Sequence, residues 1–397
     1  MGALPAYYCY PSGACSRGGV GCKDRQSEAN FGPFATNCTT DLALVGLTIG
    51  SPEEAGLDPG RLQRAYDLLA EWVAAGTVPG VALAVARNGI QMEPQALGQA
   101  QFSAPERTLA ADDIFLVASV TKPVTVMAAL TLLENGALAL DDLVTQYIPE
   151  FTGQGKEAIR LRQLMNHTSG LPDMLPDNQA LRQQHAPLST FIEGICACSL
   201  LFTPGTRVSY QSTGTAILGE VVERISGQPL REYFNHTFFK PLGMDSSALG
   251  WRQGLQQRIV EVVLPEEQVG GHWHWNSPYW RDFGAPWGGM FSTVQDLLRL
   301  LQALLQGGQL AGQRILGADT VQTMLTDQTP GLGPRWGLGW SLGGGGDLGS
   351  PARFGHGGAT GTLVGADPAS GLAWALFTNR PGAPLRYLAN ALHAAVV

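Results

Sequence analysis

A chain of 397 residues exceeds what one small core holds, so one large composite domain or two domains are expected. Its net charge of −8, with no basic patch interleaved with aromatics, argues against nucleic acid or an anionic membrane surface as partner. The hydrophobic fraction of 44% is that of a globular protein, and no apolar run is long enough to cross a bilayer.

Residues 1–45 carry Cys9, Cys15, Cys22 and Cys38 among many glycines, with no periodic apolar pattern. They hold neither the basic segment nor the run of about 7–15 apolar residues that a secretory signal needs. No Cys-x-x-Cys spacing there supports a zinc site. The stretch reads as a disordered or loosely packed N-terminal extension, and a cytoplasmic protein is expected.

The first clear element is a helix over Pro59–Ala74, with Leu62, Ala65, Leu68, Leu69 and Trp72 at helical spacing. Gly80 to Ala86 reads as a buried strand that ends at the turn Arg87-Asn88-Gly89. Strand-like Ile114 to Val117 leads to Ser119, where a helix begins and runs to Asn135-Gly136. Pro123 falls in its first turn, where a missing N–H is harmless. The middle third is helical: Leu161 to Met165, Ser189 to Ile195, Thr215 to Ile225 and Leu230 to Phe239. Another helix spans Thr293 to Leu305. Strands are expected at Gly337 to Leu342, His356 to Gly365 and Leu372 to Thr378, before a last helix from Leu385 to Ala395. Strands thus cluster at both ends and helices between them. That order predicts an α+β fold, with residues 46–115 and 290–397 sharing one mixed sheet and 116–289 inserted as a mostly helical part.

Chemistry concentrates at Ser119-Val120-Thr121-Lys122. The chain has four lysines, and this one sits in one of its most apolar stretches. A spacing of three places the serine and the lysine in side-chain contact on one helix face. A desolvated lysine loses pKa and can act as a base toward the hydroxyl, which makes Ser119 a candidate nucleophile. At the start of a helix, free N–H groups and the dipole favour an attacking alkoxide or an oxyanion. No Gly-x-Ser-x-Gly occurs, so a nucleophile elbow is absent and the base should be a lysine or a tyrosine. Tyr210 lies among polar neighbours just before a helix, a position that suits a projecting hydroxyl. Downstream, Phe354-Gly355-His356-Gly357-Gly358-Ala359 is glycine-rich enough to let a ligand or another backbone approach closely.

Taken in order and spacing, these pieces resemble the serine β-lactamase and penicillin-binding protein superfamily. The likeness is to its class C-like branch, which includes the family VIII carboxylesterases. Ser119-x-x-Lys122 matches the first motif, Tyr210-x-Ser212 stands in place of Tyr-x-Asn, and His356-Gly357-Gly358 in place of Lys-Thr-Gly. Supporting stretches include Asn166-His167-Thr168-Ser169-Gly170, Gly288-Gly289-Met290 and Trp336-Gly337-Leu338-Gly339-Trp340. The resemblance implies an antiparallel sheet flanked by helices, a helical domain, and an active site between them. It also implies that Ser119 is acylated and that Lys122 and Tyr210 share proton transfer. Tyr210 is then the favoured direct base, with a Lys122 cation stabilising its phenolate. The N–H groups of Ser119 and Ala359 would form the oxyanion hole, and no metal or cofactor is required.

Two departures bear on substrate. His356 lacks the permanent cation that would hold the carboxylate of a penicillin or a D-Ala-D-Ala peptide. Ser212 offers a hydroxyl where the family has an amide donor. Both favour a short-chain ester, bound among Ser212, Trp287, His356, Gly357, Gly358 and Ala359. A β-lactamase or D-Ala-D-Ala-type carboxypeptidase on the same site is the alternative, and a catalytically silent binding homologue a further one. The aromatic stretch Gly271 to Trp280 reads either as a cleft wall or as ordinary packing, and His167 as a turn residue.

Overall fold

The computed structural model describes residues 46–102, 107–251, 254–344 and 346–397. The readings made for residues 1–45 lie outside them. The main sheet has the strand order Thr48–Ile49, Ile90–Gln91, Gly80–Arg87, Leu372–Thr378, Thr362–Asp367, Phe354–Gly358 and Ser341–Leu342. Gln95–Gly98 also pairs with Gly80–Arg87. The sheet is antiparallel except at one edge, where Thr48–Ile49 runs parallel to Ile90–Gln91. The sheet is therefore mixed, as the strand order predicts, and departs from the wholly antiparallel sheet that the resemblance implies only at that edge.

Its two central strands explain the layering. In Gly80–Arg87, Val81, Leu83 and Val85 join Leu372, Trp374 and Leu376 in a core shared with the helices Pro59–Ala74 and Leu385–Ala394. The alternate residues Ala82, Ala84 and Ala86 face a larger core with Ala373, Ala375 and Phe377, against which the helix Val294–Leu305 packs. Large side chains on one face and alanines on the other let that helix seat closely.

The helical insertion packs around Thr121–Glu134, which is buried from Thr121 through Leu132 and so lies at the centre of the larger core. A small sheet of Phe115–Leu116, Met290–Ser292 and Ala248–Leu249 ties the two ends of the insertion together. Among the described residues, no helix is long and apolar enough to cross a membrane.

Three expected elements change form. The strand expected over His356 to Gly365 is a hairpin: Phe354–Gly358 and Thr362–Asp367 pair through a turn that needs Gly361 at φ +91°. The strand expected over Gly337 to Leu342 shrinks to Ser341–Leu342. Gly339 turns at φ +79° where a side chain would press on Val126 and Pro123 of the central helix. The helix from Leu230 stops at Phe234 and continues as a π-turn over Asn235–Phe239.

Candidate active site

The strand Phe115–Leu116 delivers the chain to Ala118, an L-residue held at φ +45°. That left-handed backbone costs roughly 1 kcal/mol or more and persists because its surroundings fix it. Val117 N–H donates to the Met290 carbonyl at 2.9 Å. Thr360 and Thr362 of the hairpin donate their hydroxyls to the Leu116 and Val117 carbonyls at 2.6 and 3.0 Å. A short 3₁₀ turn, Ala118–Val120, then feeds the central helix, and Ser119 is only half-buried among fully buried neighbours. Its N–H lies in a first turn, where helical acceptors are lacking. Ala359 N–H, in the hairpin turn, also makes no hydrogen bond among the described residues.

The hairpin reaches this segment because Gly358 has no side chain. A Cβ there would lie 2.2 Å from Thr362 Oγ1 and 2.3 Å from the Val117 carbonyl oxygen. At Gly357 it would meet only ordinary contacts at 3.7 and 3.8 Å. Gly358→Ala is expected to lose about 1–3 kcal/mol of stability, and Gly357→Ala much less, as thermal unfolding of the two variants would read.

Lys122 is fully buried. Its Nζ lies 3.0 Å from Ser119 Oγ and 3.1 Å from the Trp287 carbonyl oxygen, and sits 4.7 Å from the centroid of the Tyr210 ring. Burial lowers its pKa to about 7, against the opposing pull of Asp173. Tyr210 is hydrogen-bonded to Ser119, yet burial pushes its phenol above the ordinary value of 10, and the Ser119 contact only partly offsets that. These shifts favour Lys122 over Tyr210 as the proton acceptor: burial weakens the lysine cation that was to stabilise a phenolate, so that near pH 7 about half of the amine is neutral, and it raises the pKa of the phenol.

His356 is 4% exposed, and burial, followed by the nearby Lys122, lowers its pKa to about 3. Its Nδ1 lies 2.8 Å from the Gly357 carbonyl oxygen, which can only accept, so Nδ1 carries the proton of a neutral ring. His167, Tyr210, Trp336 and His356 form one ring cluster. The centroid separations are 4.7 Å for His167–Tyr210, 4.4 Å for His167–Trp336 and 6.0 Å for Tyr210–His356. His167 does occupy a turn, at φ +63°, and it also anchors the tyrosine loop. Its carbonyl accepts from Ser209 N–H at 2.9 Å and its Nδ1 from Gln211 N–H at 3.4 Å.

Ser212 is buried, and its hydroxyl and N–H both donate to Asp173 Oδ1 at 2.8 Å. Asp173 had no sequence signal of its own; it follows Leu171-Pro172 and finds Ser212 only in the folded chain. Trp287 holds Lys122 through its carbonyl and packs its ring on Phe191 and Phe283. The aromatic stretch does not wall the cleft as a whole. Trp273 and Trp280 are buried, with ring centroids 5.5 Å apart, and the Arg182 guanidinium lies 4.6 Å from each ring. Among the described residues, no group of three His, Cys, Asp or Glu side chains is arranged to hold a metal.

The sequence profile of the beta-lactamase family matches residues 66–397. A protein of Escherichia coli O157:H7, provisionally named a D-alanyl-D-alanine carboxypeptidase, is 28% identical over 393 residues, spanning 89% of this chain and 90% of its own. A family VIII carboxylesterase superposes with a TM-score of 0.72 at 22% identity, over 86% of this chain and 98% of that one. A penicillin-binding protein homologue of Caulobacter crescentus gives a TM-score of 0.72 at 22% identity, over 85% and 96%. The chain belongs to the beta-lactamase family, within the serine β-lactamase and penicillin-binding protein superfamily.

Proposed function

We propose that the protein hydrolyses short-chain carboxylic esters through an acyl-enzyme on Ser119. The observation that carries this reading is the buried, neutral His356 where a carboxylate-binding cation would stand. A second feature supports a short acyl group. A cavity of about 10 Å³, lined by Met174, Leu175, Ser212, Thr213 and Trp287 among others, has room for one methyl-sized group.

In the proposed mechanism, Ser119 Oγ attacks the ester carbonyl as its proton passes to neutral Lys122 Nζ, 3.0 Å away. The N–H groups of Ser119 and Ala359 receive the oxyanion. Tyr210, still protonated, gives its proton to the departing alkoxide and is replenished from Lys122. Water then attacks the acyl-enzyme, its proton moves to Lys122, and Ser119 Oγ is reprotonated as the acid leaves.

The pH dependence follows from Lys122. Below about pH 7 the amine is protonated and cannot accept the serine proton. So kcat/KM for an uncharged ester is expected to rise tenfold per pH unit up to about 7 and to level off above it. A profile flat from pH 5 to 8 would remove Lys122 from the role of base.

The second reading, a D-alanyl-D-alanine carboxypeptidase, has the name of the 28% identical relative in its favour. Parallel assays with p-nitrophenyl esters, nitrocefin and a D-alanyl-D-alanine peptide separate the two. Peptide cleavage that outpaces ester hydrolysis would replace the esterase reading.

A further inference from the structure

The Ser212–Asp173 pair reverses the polarity of one wall of the site. A carboxylate oxygen can only accept, so the Ser212 hydroxyl and N–H, each 2.8 Å from Asp173 Oδ1, are both spent as donors on Asp173. Where an amide side chain would offer N–H groups to a substrate carbonyl, this pair presents lone pairs and a negative charge. Asp173 is exposed, and its Oδ2 takes part in no hydrogen bond or ion pair among the described residues. The carboxylate is near enough to Lys122, Tyr210 and Arg182 for its field to act on each. Arg182 nonetheless lies against Trp273 and Trp280 and forms no ion pair with it among the described residues. An acceptor oxygen thus stands beside the methyl-sized cavity that Ser212 also lines.

Resting on the ester-hydrolase reading above, we propose that Asp173, braced by Ser212, selects esters whose acyl group carries an ammonium beside the scissile carbonyl, as a small amino acid ester does. The ammonium meets Asp173 Oδ2, and the short side chain enters the cavity at Met174, Leu175 and Trp287. The same charge repels acyl groups that carry a carboxylate.

Methyl alaninate and methyl isobutyrate are the probes, because they differ in an ammonium against a methyl group of similar size. At pH 7 most of the alaninate amine is charged, its pKa being about 7.7–8.0. Binding to the Ser119→Ala protein, read by titration calorimetry, does not depend on turnover. Methyl alaninate is expected to bind roughly tenfold more tightly than methyl isobutyrate. In Ser119→Ala/Asp173→Asn that ratio should fall below about twofold, and in Ser119→Ala/Asp173→Glu it should persist. Equal binding of the two esters, or a preference that survives Asp173→Asn, overturns the assignment even if esters are hydrolysed. An ammonium preference that depends on Asp173, in an enzyme that turns over neither ester, upholds the assignment and fails the esterase reading alone.

Discussion

Ser119→Ala is expected to abolish ester hydrolysis, lowering kcat by at least about 10⁴-fold while the protein stays folded. The size of the loss follows from the geometry. Lys122 Nζ lies 3.0 Å from Ser119 Oγ, and the Ser119 side chain also acts on the Tyr210 phenol, so both proposed proton carriers are coupled to the one residue. Without it neither has a reaction to serve, and what remains is the polarisation of a carbonyl by backbone N–H groups. Stability should hardly move, because Ser119 is half-exposed and the Ala118 turn is fixed by Val117, Thr360 and Thr362 rather than by the serine. Intact-mass measurement after p-nitrophenyl acetate gives the complementary result: an acetyl group on the wild-type protein and none on Ser119→Ala. Turnover retained by the variant would sink the acyl-enzyme mechanism.

Lys122→Met is expected to remove activity by about 10³-fold or more and, at the same time, to make the protein more stable below pH 7. The direction can be worked out from protonation. Folding lowers the lysine pKa from 10.5 to about 7, so the folded state resists the proton that the unfolded chain holds. The penalty is fully present below pH 7, fades as pH rises from 7 to 10.5, and is gone above that. At about 1.4 kcal/mol per unit it amounts to at most on the order of 4–5 kcal/mol. Part of that is returned when methionine forfeits the hydrogen bond to the Trp287 carbonyl. Wild-type Tm should therefore climb between pH 7 and 9, while the Tm of Lys122→Met starts higher at pH 6 and stays flatter. A variant less stable than wild type at pH 6 would show that the buried amine contributes more through its contacts than it costs through its charge.

Ser119, Lys122, Tyr210 and His356 were legible because each belongs to a local signature: a spacing of three, a polar turn before a helix, a glycine-rich strand. Their electrostatics were legible only in part. The apolar stretch around Lys122 pointed to a desolvated amine of lowered pKa, and only the family resemblance recast it as a cation beside Tyr210. The contacts that surround it, the Trp287 carbonyl 165 positions along the chain and the Tyr210 ring, follow from no spacing rule. Asp173 was missed for the same reason, since it becomes meaningful only through hydrogen bonds to Ser212 across 39 positions. The strand Leu372–Thr378 and the helix Pro59–Ala74 were read with their true boundaries, because long regular patterns outweigh local noise. Two-residue strands such as Thr48–Ile49 have no pattern to read, and the parallel edge of the sheet went unseen with them.

The centre of the sheet also sets the order in which this molecule can be made. Gly80–Arg87 bonds on one side to Leu372–Thr378, with Val81 opposite Thr378, about 300 positions apart. A nascent chain emerging from the ribosome holds this strand, with an apolar surface on both faces, until Leu372–Thr378 has been synthesised. Closing so distant a pairing is slow, and the waiting strand is open to misassociation with other chains. The sheet should therefore close late, only once Thr378 has emerged, and the molecule should benefit from whatever keeps Gly80–Arg87 apart from its neighbours meanwhile.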